Sequence, residues 1–549
     1  MKWYKLLLLS LISGLLLGFS WYPHGLPFLI FFALIPLLFM SDGLLKRERG
    51  GGFWKGFLFA YPGFLVWNAI TTYWICYCTV PGGLAAVILN AMLQALVFAA
   101  WHACRRHIST DWHPILLASF WMAFEYLHLN WDLTWPWLNL GNIFAVCPQF
   151  VQWYSVTGTF GGTLWVLVCN YLFYMLIRSL SSDKRHAKAY AIAVAAVVVV
   201  PIVISCIQYA HYNHKIDKST PINVAVVQPN TDVWEEEFNM TNTEHAIRML
   251  QTAQPYLNDS THLVLCPETC MPHSVSMEML INGTYPSHIP TYGFLPLIDN
   301  AIATHPNLNF IIGVSAMTLY DHKATITAMK VGQDQYIDMH NTAICYGPHR
   351  YNGHHHKMRL VPGVESLPFP KIFGFLGDLM INLGGTHSSL GKDTCFRIFP
   401  ITAGEQTVKV STAICYESIY GELCSRFVRN GAELLTVITN DSWWDDSPGH
   451  TQHFEMARLR AVENRRYVVR SANGGTSAVI DPRGNVLKST KYQERTAFGT
   501  TVYAQQHETF YSKYGDLLAR IAVGLSFVGL LLVIINRIIK AIQHRRNRS

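Results

Sequence analysis

Apolar runs long enough to cross a bilayer flank a stretch of ordinary globular composition, and this arrangement limits the possible folds more than any other feature. A span needs roughly 17–25 apolar residues. Of the 549 residues, 50% are hydrophobic and 14% are charged, with the apolar excess concentrated in residues 1–210. We predict about eight transmembrane spans, near residues 4–22, 26–41, 53–74, 84–103, 114–130, 151–178, 187–210 and 516–537.

Basic residues follow alternate spans of this predicted bundle. The connections that contain Lys or Arg hold residues 46–49, 105–106 and 184–188, and Arg545 and Arg546 follow the last span. The connections near 22–25, 75–83 and 131–150 contain neither. By the positive-inside rule, both termini are predicted to be cytoplasmic and residues 221–506 to lie on the opposite side. The net charge of +7 then reflects topology, so we expect no nucleic-acid partner.

Residues 221–506 have the pattern of an α/β domain. Short β-rich runs occur at 222–228 and 262–266, and further runs contain NFIIGVSAM, ITAMKV, YIDMHNTAICY, VKVSTAIC, LLTVITN and SAVIDP. Helical periodicity covers 241–255 and 448–466. Strands that alternate with helices indicate a layered α/β fold. We predict three parts: a bundle over 1–212 with seven spans, a domain over 213–510, and a final helix with a basic tail over 511–549.

Three polar residues at strand ends form a candidate active site. Glu268 follows the strand 262–266, Lys357 follows a histidine run, and Cys415 ends an apolar strand just before Tyr416 and Glu417. Taken singly, the carboxylate could cap a helix, the lysine could be a surface charge, and the cysteine could be a small core residue. Together they supply a base, a cation for an oxyanion and a nucleophile, which are the parts that acyl transfer through a thioester requires.

The histidines at 354–356 are the obvious alternative site. Neighbouring residues of an extended segment point to opposite faces, so three in a row rarely converge on one metal. The sequence therefore predicts no metal, and it contains no motif that calls for a cofactor.

Several ordered motifs resemble the apolipoprotein N-acyltransferases, the membrane-integrated members of the nitrilase superfamily. They are VQPN (227–230), PET (267–269), KxxLVPxxE (357–365), ICYE (414–417), NDSWW (440–444), QHFEMARLRAVE (452–463) and RSANGGTS (470–477), with EYL (125–127) and PWLNLG (136–141) in the apolar part. The resemblance implies an αββα nitrilase-like domain inserted before the last span. Two positions depart from the family pattern, because PGVE (362–365) replaces PFGE and His128 stands where an arginine is usual.

The resemblance also implies roles for individual residues. Cys415 is the expected nucleophile, Glu268 the general base and Lys357 the cation that holds the oxyanion. The expected supporting or substrate-binding residues are Glu365, Tyr416 (through its backbone N–H), Glu417, Trp234, Asn440 and Trp443.

The implied reaction moves an acyl chain from a phospholipid, expected to be phosphatidylethanolamine, to Cys415, and then to the N-terminal amine of a diacylglyceryl-cysteine in an apolipoprotein. The implied location is the bacterial inner membrane, with the catalytic domain on the periplasmic side. An apolar loop at 373–391 is a candidate gate for the acyl chain.

Two other functions fit parts of the pattern. A membrane-anchored nitrilase-type amidohydrolase would use the same three residues with water as the acceptor. A transporter or scaffold would need more ionisable residues in its spans than Glu125, the main one present.

Overall fold

The protein forms two compact units in a computed structural model that describes residues 1–46, 52–182, 184–286, 288–369 and 389–546. The first unit is Met1–Gln208 with Asp516–Ser549, and the second is Tyr209–Gly515. Of the predicted gate at 373–391, residues 373–388 lie outside the described residues.

All regular secondary structure in the described residues of the first unit is helical. Its longer α-helices are Trp3–Ser20, Ile35–Leu45, Phe53–Thr72, Val80–Cys104, Trp112–His128, Thr159–Ser182, Ala187–Tyr212 (which runs into the second unit) and Leu517–Arg546. The short helical turns are Pro27–Phe31, Ile75–Cys78, Pro136–Leu138, Leu140–Val146, Pro148–Phe150, Tyr154–Thr157 and Lys184–His186.

A helix occupies each position at which the sequence predicts a span. Six segments of the described chain are long and apolar enough to cross a membrane by length and composition: 3–20, 27–45, 80–104, 159–181, 184–212 and 517–546. The helices Phe53–Thr72 and Trp112–His128 are not among them. The predicted helical region with several apolar spans is confirmed, and the number of spans remains approximate.

Small residues bring helices of this unit close together. A methyl group added to Gly14 would lie 2.2 Å from the carbonyl oxygen of Gly63, so the first and third long helices touch through their backbones. The buried Glu125 accepts hydrogen bonds from Trp121 Nε1, Leu140 N and Thr163 Oγ1 at 3.1, 2.8 and 2.7 Å. Glu125 is therefore tied into the packing of its own unit, which weakens the transporter interpretation.

The second unit contains two β-sheets. The first sheet consists of β1 (Pro221–Gln228), β2 (Leu263–Leu265), β3 (Met271–Ser276), β4 (Asn309–Tyr320), β5 (Met329–Lys330), β6 (Tyr336–Gly347), β7 (Arg350–His356) and β14 (Thr496–Tyr503). The second consists of β8 (Phe399–Ala403), β9 (Gln406–Ile414), β10 (Leu434–Thr439), β11 (Val468–Ala472), β12 (Ala478–Ile480) and β13 (Val486–Ser489).

Parallel strands form the centre of each sheet and bring strand ends to one edge. The first sheet has the order β14-β1-β2-β4-β6-β5, with β1, β2 and β4 parallel. The second has the order β13-β12-β11-β10-β9-β8, with β9, β10 and β11 parallel. The carboxyl ends of β2 and β9 are followed by Glu268 and Cys415. The sheets contact one another, as Ser471 on β11 donates to the Val227 carbonyl of β1 at 2.6 Å.

Helices cover the two sheets. The helices Asn242–Ala253, Met277–Asn282 and Phe294–Thr304 pack on the first sheet and share its apolar core. The helices Gly421–Arg429 and Pro448–Asn464 belong to the second sheet, and Phe510–Tyr514 follows β14. The predicted helices at 241–255 and 448–466 are confirmed, and so is the layered α/β arrangement of this unit. Sequence analysis did not identify β3, β8, β11, β13 or β14 as strands.

Gly313 lets β4 pass directly against the turn that carries Glu268. A methyl group at this position would lie 2.3 Å from the Pro267 carbonyl oxygen and 2.6 Å from the Glu268 Cα atom. We expect Gly313→Ala to destabilise the protein by about 1–3 kcal/mol, because the backbone must move to admit the methyl group. The measurement is the melting temperature of the purified full chain in detergent.

The control for this variant is Gly332→Ala, where the nearest atom to the new methyl group is the end of the Gln335 side chain at 3.3 Å. Equal melting temperatures for the two variants would contradict the close approach at Gly313.

Candidate active site

Glu268 sits in the turn after β2 with both carboxylate oxygens engaged. Oε1 accepts from Lys357 Nζ at 2.9 Å and from Asn341 Nδ2 at 2.7 Å. Oε2 accepts from the backbone N–H of Asn440 at 2.9 Å. Asn440 follows β10 of the other sheet, so Glu268 joins the two sheets and is held in one orientation.

Lys357 follows β7 and is buried between two carboxylates. Its ammonium group donates to Glu268 Oε1 at 2.9 Å and to Glu365 Oε1 at 2.8 Å. Burial opposes the charged form, but Glu268, Glu365 and Cys415 outweigh it and raise the pKa of Lys357 well above its usual value. Lys357 is therefore a fixed cation at any working pH.

Cys415 is buried at the point where β9 ends and a short helical turn, Cys415–Ile419, begins. Its φ angle is +50°, in the left-handed region that non-glycine residues rarely adopt. Positive φ values of this kind occur at functional sites where the surrounding structure enforces them. The sequence prediction of a strand that stops at the thiol agrees with this geometry.

The thiol of Cys415 lies within electrostatic reach of the Glu268 and Lys357 side chains. Burial, and then the Glu268 carboxylate, raise the pKa of Cys415 well above its usual value, and Lys357 only partly offsets them. The charge of Lys357 favours the thiolate, but it does not outweigh burial and Glu268, which favour the neutral thiol. A thiol whose pKa is raised in this way needs a base before it can act as a nucleophile.

Glu417 connects the cysteine turn to the lysine strand. Its Oε2 accepts from Ile414 N at 2.7 Å and lies 3.1 Å from His355 Nε2, while Oε1 accepts from Met358 N at 2.5 Å. Burial favours the protonated form, but His355 and these backbone N–H groups outweigh it and hold the pKa of Glu417 below its usual value. One ionised side chain thus sets the spacing between Cys415 and Lys357.

The remaining predicted residues lie around this centre at different distances. Glu365 contacts Lys357 directly and also accepts from Val361 N at 2.8 Å. Asn440 contacts Glu268, and Tyr416 is buried next to Cys415. Trp234 is 67% exposed and packs edge-on against Trp443, with ring centroids 5.2 Å apart. The two tryptophans therefore contact one another in a more open part of the unit.

Two further residues of the site were missed in the sequence. Asn341 Nδ2 donates to Glu268 and also to Glu365 Oε1, the latter at 3.1 Å. Glu237 accepts from Asn440 Nδ2 at 3.0 Å, and burial raises its pKa to about 7. Asn341 lies in the middle of the predicted strand YIDMHNTAICY. An amide side chain at the centre of such a strand is the signal that could have revealed it. Glu237 stands among exposed acidic neighbours and gives no such signal.

The histidine run divides between the two faces of β7. His355 faces Glu417, whereas the His356 ring stacks on His340 and lies beside His354, with centroid distances of 4.1 and 4.4 Å. The alternation expected for an extended strand is therefore present. No group of three or more His, Cys, Asp or Glu residues in the described parts of the chain could hold a metal ion.

A buried thiol, carboxylate and ammonium group come together at strand ends between the two sheets of a layered α/β unit. Residues 223–507 match the carbon-nitrogen hydrolase family, and residues 13–172 match the apolipoprotein N-acyltransferase N-terminal domain. The chain belongs to the carbon-nitrogen hydrolase family.

Curated relatives share both units. Apolipoprotein N-acyltransferase from Chlorobaculum tepidum is 27% identical over 95% of each chain, and its namesake from Geobacter metallireducens is 26% identical over 93% of this chain and 92% of its own. A Saccharomyces cerevisiae member of branch 10 of the nitrilase superfamily is 17% identical, with 52% of this chain and 93% of its own covered and a TM-score of 0.36. The sequence relatives confirm the resemblance and the prediction of an acyltransferase. With the apolar helices, they indicate a bacterial membrane protein.

Glu417 makes stability depend on pH in a defined direction. A carboxyl group whose pKa is lowered in the folded state stabilises the fold above the usual pKa, about 4.5, and this contribution is lost as the pH falls through the lower folded value. We expect the melting temperature to fall below about pH 4.5 and to fall less in Glu417→Gln. The same variant should be destabilised at neutral pH by about 1–3 kcal/mol, because the amide leaves at least one of the N–H groups of Ile414 and Met358 without its acceptor.

Thermal melting between pH 3 and pH 7 would test this expectation, with the exposed Glu405→Gln as the control. If Glu417→Gln and Glu405→Gln follow the same curve, Glu417 does not carry the pH dependence.

Proposed function

We propose that this enzyme transfers an acyl chain from a phospholipid to the N-terminal amine of a diacylglyceryl-modified apolipoprotein through a thioester on Cys415. The observation that carries the proposal is the contact of Lys357 Nζ with both Glu268 and Glu365 beside the Cys415 thiol. The names of the curated relatives supply the substrate class.

In the first half-reaction, Glu268 takes the thiol proton and the Cys415 sulfur attacks the ester carbonyl of the phospholipid. The carbonyl π electrons move to oxygen, and the resulting oxyanion is stabilised by Lys357 and the Tyr416 backbone N–H. The oxyanion collapses, the C–O bond breaks, and the lysophospholipid oxygen leaves with the proton that Glu268 holds. The acyl group remains on sulfur as a thioester.

In the second half-reaction, the lipoprotein amine attacks the thioester carbonyl. Glu268 takes a proton from the amine, the C–S bond breaks, and the amide product leaves while Cys415 regains a proton. A thioester reacts readily with an amine, and a site with little water limits its hydrolysis. Glu365 and Asn341 hold Glu268 and Lys357 in place through both steps.

The apolar helices and the distribution of basic residues support a membrane location for this chemistry. We propose the bacterial inner membrane, with both termini cytoplasmic and the catalytic domain periplasmic, as the positive-inside rule implies. We propose the domain limits 1–212, 213–510 and 511–549, with Trp234 and Trp443 on the route of a lipid substrate. Phosphatidylethanolamine is the proposed donor.

The amidohydrolase alternative shares every catalytic residue and differs only in its acceptor. The family that the chain belongs to includes hydrolases by name, so water must be tested as the competing acceptor. A hydrolase would lose its acyl group equally fast with and without a lipoprotein amine.

Intact-mass spectrometry of the full chain after incubation with phosphatidylethanolamine is the decisive experiment. We expect a mass gain of one acyl chain, which disappears when a diacylated lipopeptide is added and is recovered on that peptide. Cys415→Ala should show no gain, and Glu268→Gln should show a gain that forms at least about 100-fold more slowly, because general-base catalysis contributes on that scale.

Glu405→Gln is the matched control for Glu268→Gln, because Glu405 is an exposed carboxylate at a turn of the same unit. An adduct that also forms in Cys415→Ala would exclude the proposed nucleophile. An adduct on Cys415 that decays at the same rate without the lipopeptide would favour the hydrolase.

A further inference from the structure

Two side chains hold the carbonyl group of the nucleophilic residue. His453 Nε2 lies 3.1 Å from the Cys415 carbonyl oxygen, and Ser418 Oγ donates to the same oxygen at 2.8 Å. The Ser418 and His453 atoms are 3.0 Å apart. Both residues are buried, so these contacts do not compete with solvent. The acyl-transfer steps proposed above do not use His453.

A buried cluster fixes the His453 ring from its other side. His453 Nδ1 lies 2.9 Å from Asp441 Oδ1 and 3.1 Å from Arg470 Nη2, and Arg470 forms an ion pair with Asp441 Oδ2. Thr439 Oγ1 donates to Asp441 Oδ1 at 2.8 Å, and Trp444 packs edge-on against the ring. The helix Pro448–Asn464 carries the histidine, so a rigid element sets its position.

The ring can donate to the Cys415 carbonyl. Burial and the Arg470 guanidinium lower the pKa of His453, which favours the neutral form. A neutral ring with its proton on Nδ1 would point a lone pair at the carbonyl oxygen, which is repulsive at 3.1 Å. A proton on Nε2 gives a hydrogen bond to the carbonyl instead. Nδ1 then accepts from Arg470 Nη2, or, in the doubly protonated ring, donates to the Asp441 carboxylate, and in both forms Nε2 donates to the Cys415 carbonyl.

The peptide bond is planar and trans, so the orientation of one carbonyl group fixes the N–H on the other side of the same bond. The carbonyl that His453 and Ser418 hold belongs to Cys415, and its partner N–H belongs to Tyr416. The left-handed backbone at Cys415, with φ of +50°, is costly for a residue with a side chain and needs such external support.

We propose that His453 is a positioning residue that, with Ser418, locks the Cys415–Tyr416 peptide plane so that the Tyr416 N–H points at the developing oxyanion. This inference rests on the proposed acyl transfer, because only an acyl substrate forms an oxyanion at the thiol. Asp441 and Arg470 act through His453, since they hold the ring whose Nε2 contacts the Cys415 carbonyl.

The test compares two reactions of Cys415 that differ in their need for an oxyanion donor. Acylation by 4-nitrophenyl butyrate passes through a tetrahedral oxyanion and releases nitrophenolate, which is measured as a burst. Alkylation by iodoacetamide forms a C–S bond as the C–I bond breaks and iodide leaves, with no oxyanion. Peptide mass spectrometry measures the alkylation at Cys415 alone among the twelve cysteines.

In His453→Leu, we expect the acylation rate constant to fall about 100-fold, the scale for loss of one oxyanion donor, with KM for the ester unchanged. The rate of Cys415 alkylation should stay within about threefold, because that reaction does not use the donor. His453→Gln places an amide N–H where Nε2 stood and should recover most of the acylation rate. The acylation rate constant of Ser418→Ala should lie between those of His453→Leu and His453→Gln.

His450→Leu is the matched control, because His450 lies on the same helix, is also buried, and stacks on Tyr492 instead of contacting Cys415. It should acylate within about twofold of the wild type. Melting temperatures of all variants separate this effect from misfolding, and if His453→Leu does not fold, His453→Gln and Ser418→Ala still give the comparison.

Equal losses in acylation and alkylation would overturn the inference, as would an unchanged acylation rate in His453→Leu. Acylation of the wild type by the nitrophenyl ester but not by phosphatidylethanolamine would refute the proposed donor while the comparison at His453 stands. A wild type that accepts no acyl group from either compound would refute both.

Discussion

The ammonium group of Lys357, buried between the carboxylates of Glu268 and Glu365, is the interaction on which the site depends. Removing one partner of a buried ion pair leaves an uncompensated charge and costs several kcal/mol, so all three groups must be present together. Because Glu268 also accepts from the Asn440 backbone, the cluster joins the first sheet to the second. The same contacts therefore fix both the positions of these charged groups and the packing of the two sheets.

Carboxylates perform different tasks in this site according to what surrounds them. Glu268 faces the thiol and a lysine, Glu417 accepts backbone N–H groups and is held ionised, and Glu237 is buried with few donors, so that its pKa rises to about 7. A thiol whose own pKa is raised by burial needs a base that is already charged. Glu268 is the carboxylate within electrostatic reach of Cys415, and Lys357 and Asn341 hold its Oε1 in place.

The chemistry of the site was predictable from residue types, but its supporting contacts were not. Cys415 and Glu268 stand out because each follows an apolar strand, and Lys357 because it directly follows the histidine run, while Glu365 and Glu417 lie close to Lys357 and Cys415 in sequence. Asn341, Glu237 and His453 stand 73, 203 and 38 positions from the residues that they contact, which are Glu268, Asn440 and Cys415. Periodicity within one strand or helix carries no information about such long-range pairs. Strands β3, β8, β11, β13 and β14 were missed because several are short or rich in polar residues.

The amino-acid sequence alone determined that this chain has several apolar spans, an α/β domain before the last one, and a cysteine, a glutamate and a lysine fit for acyl chemistry. The length of an apolar run and the alternation of apolar and polar residues are local properties of the chain, so the sequence reveals them without the structure. Only the tertiary structure decided that Glu417 connects the Cys415 turn to the lysine strand, that the Asn440 backbone orients Glu268, and that His453 contacts the Cys415 carbonyl. These contacts join different strands, turns and helices, and burial makes each of them strong because water cannot replace the lost partner.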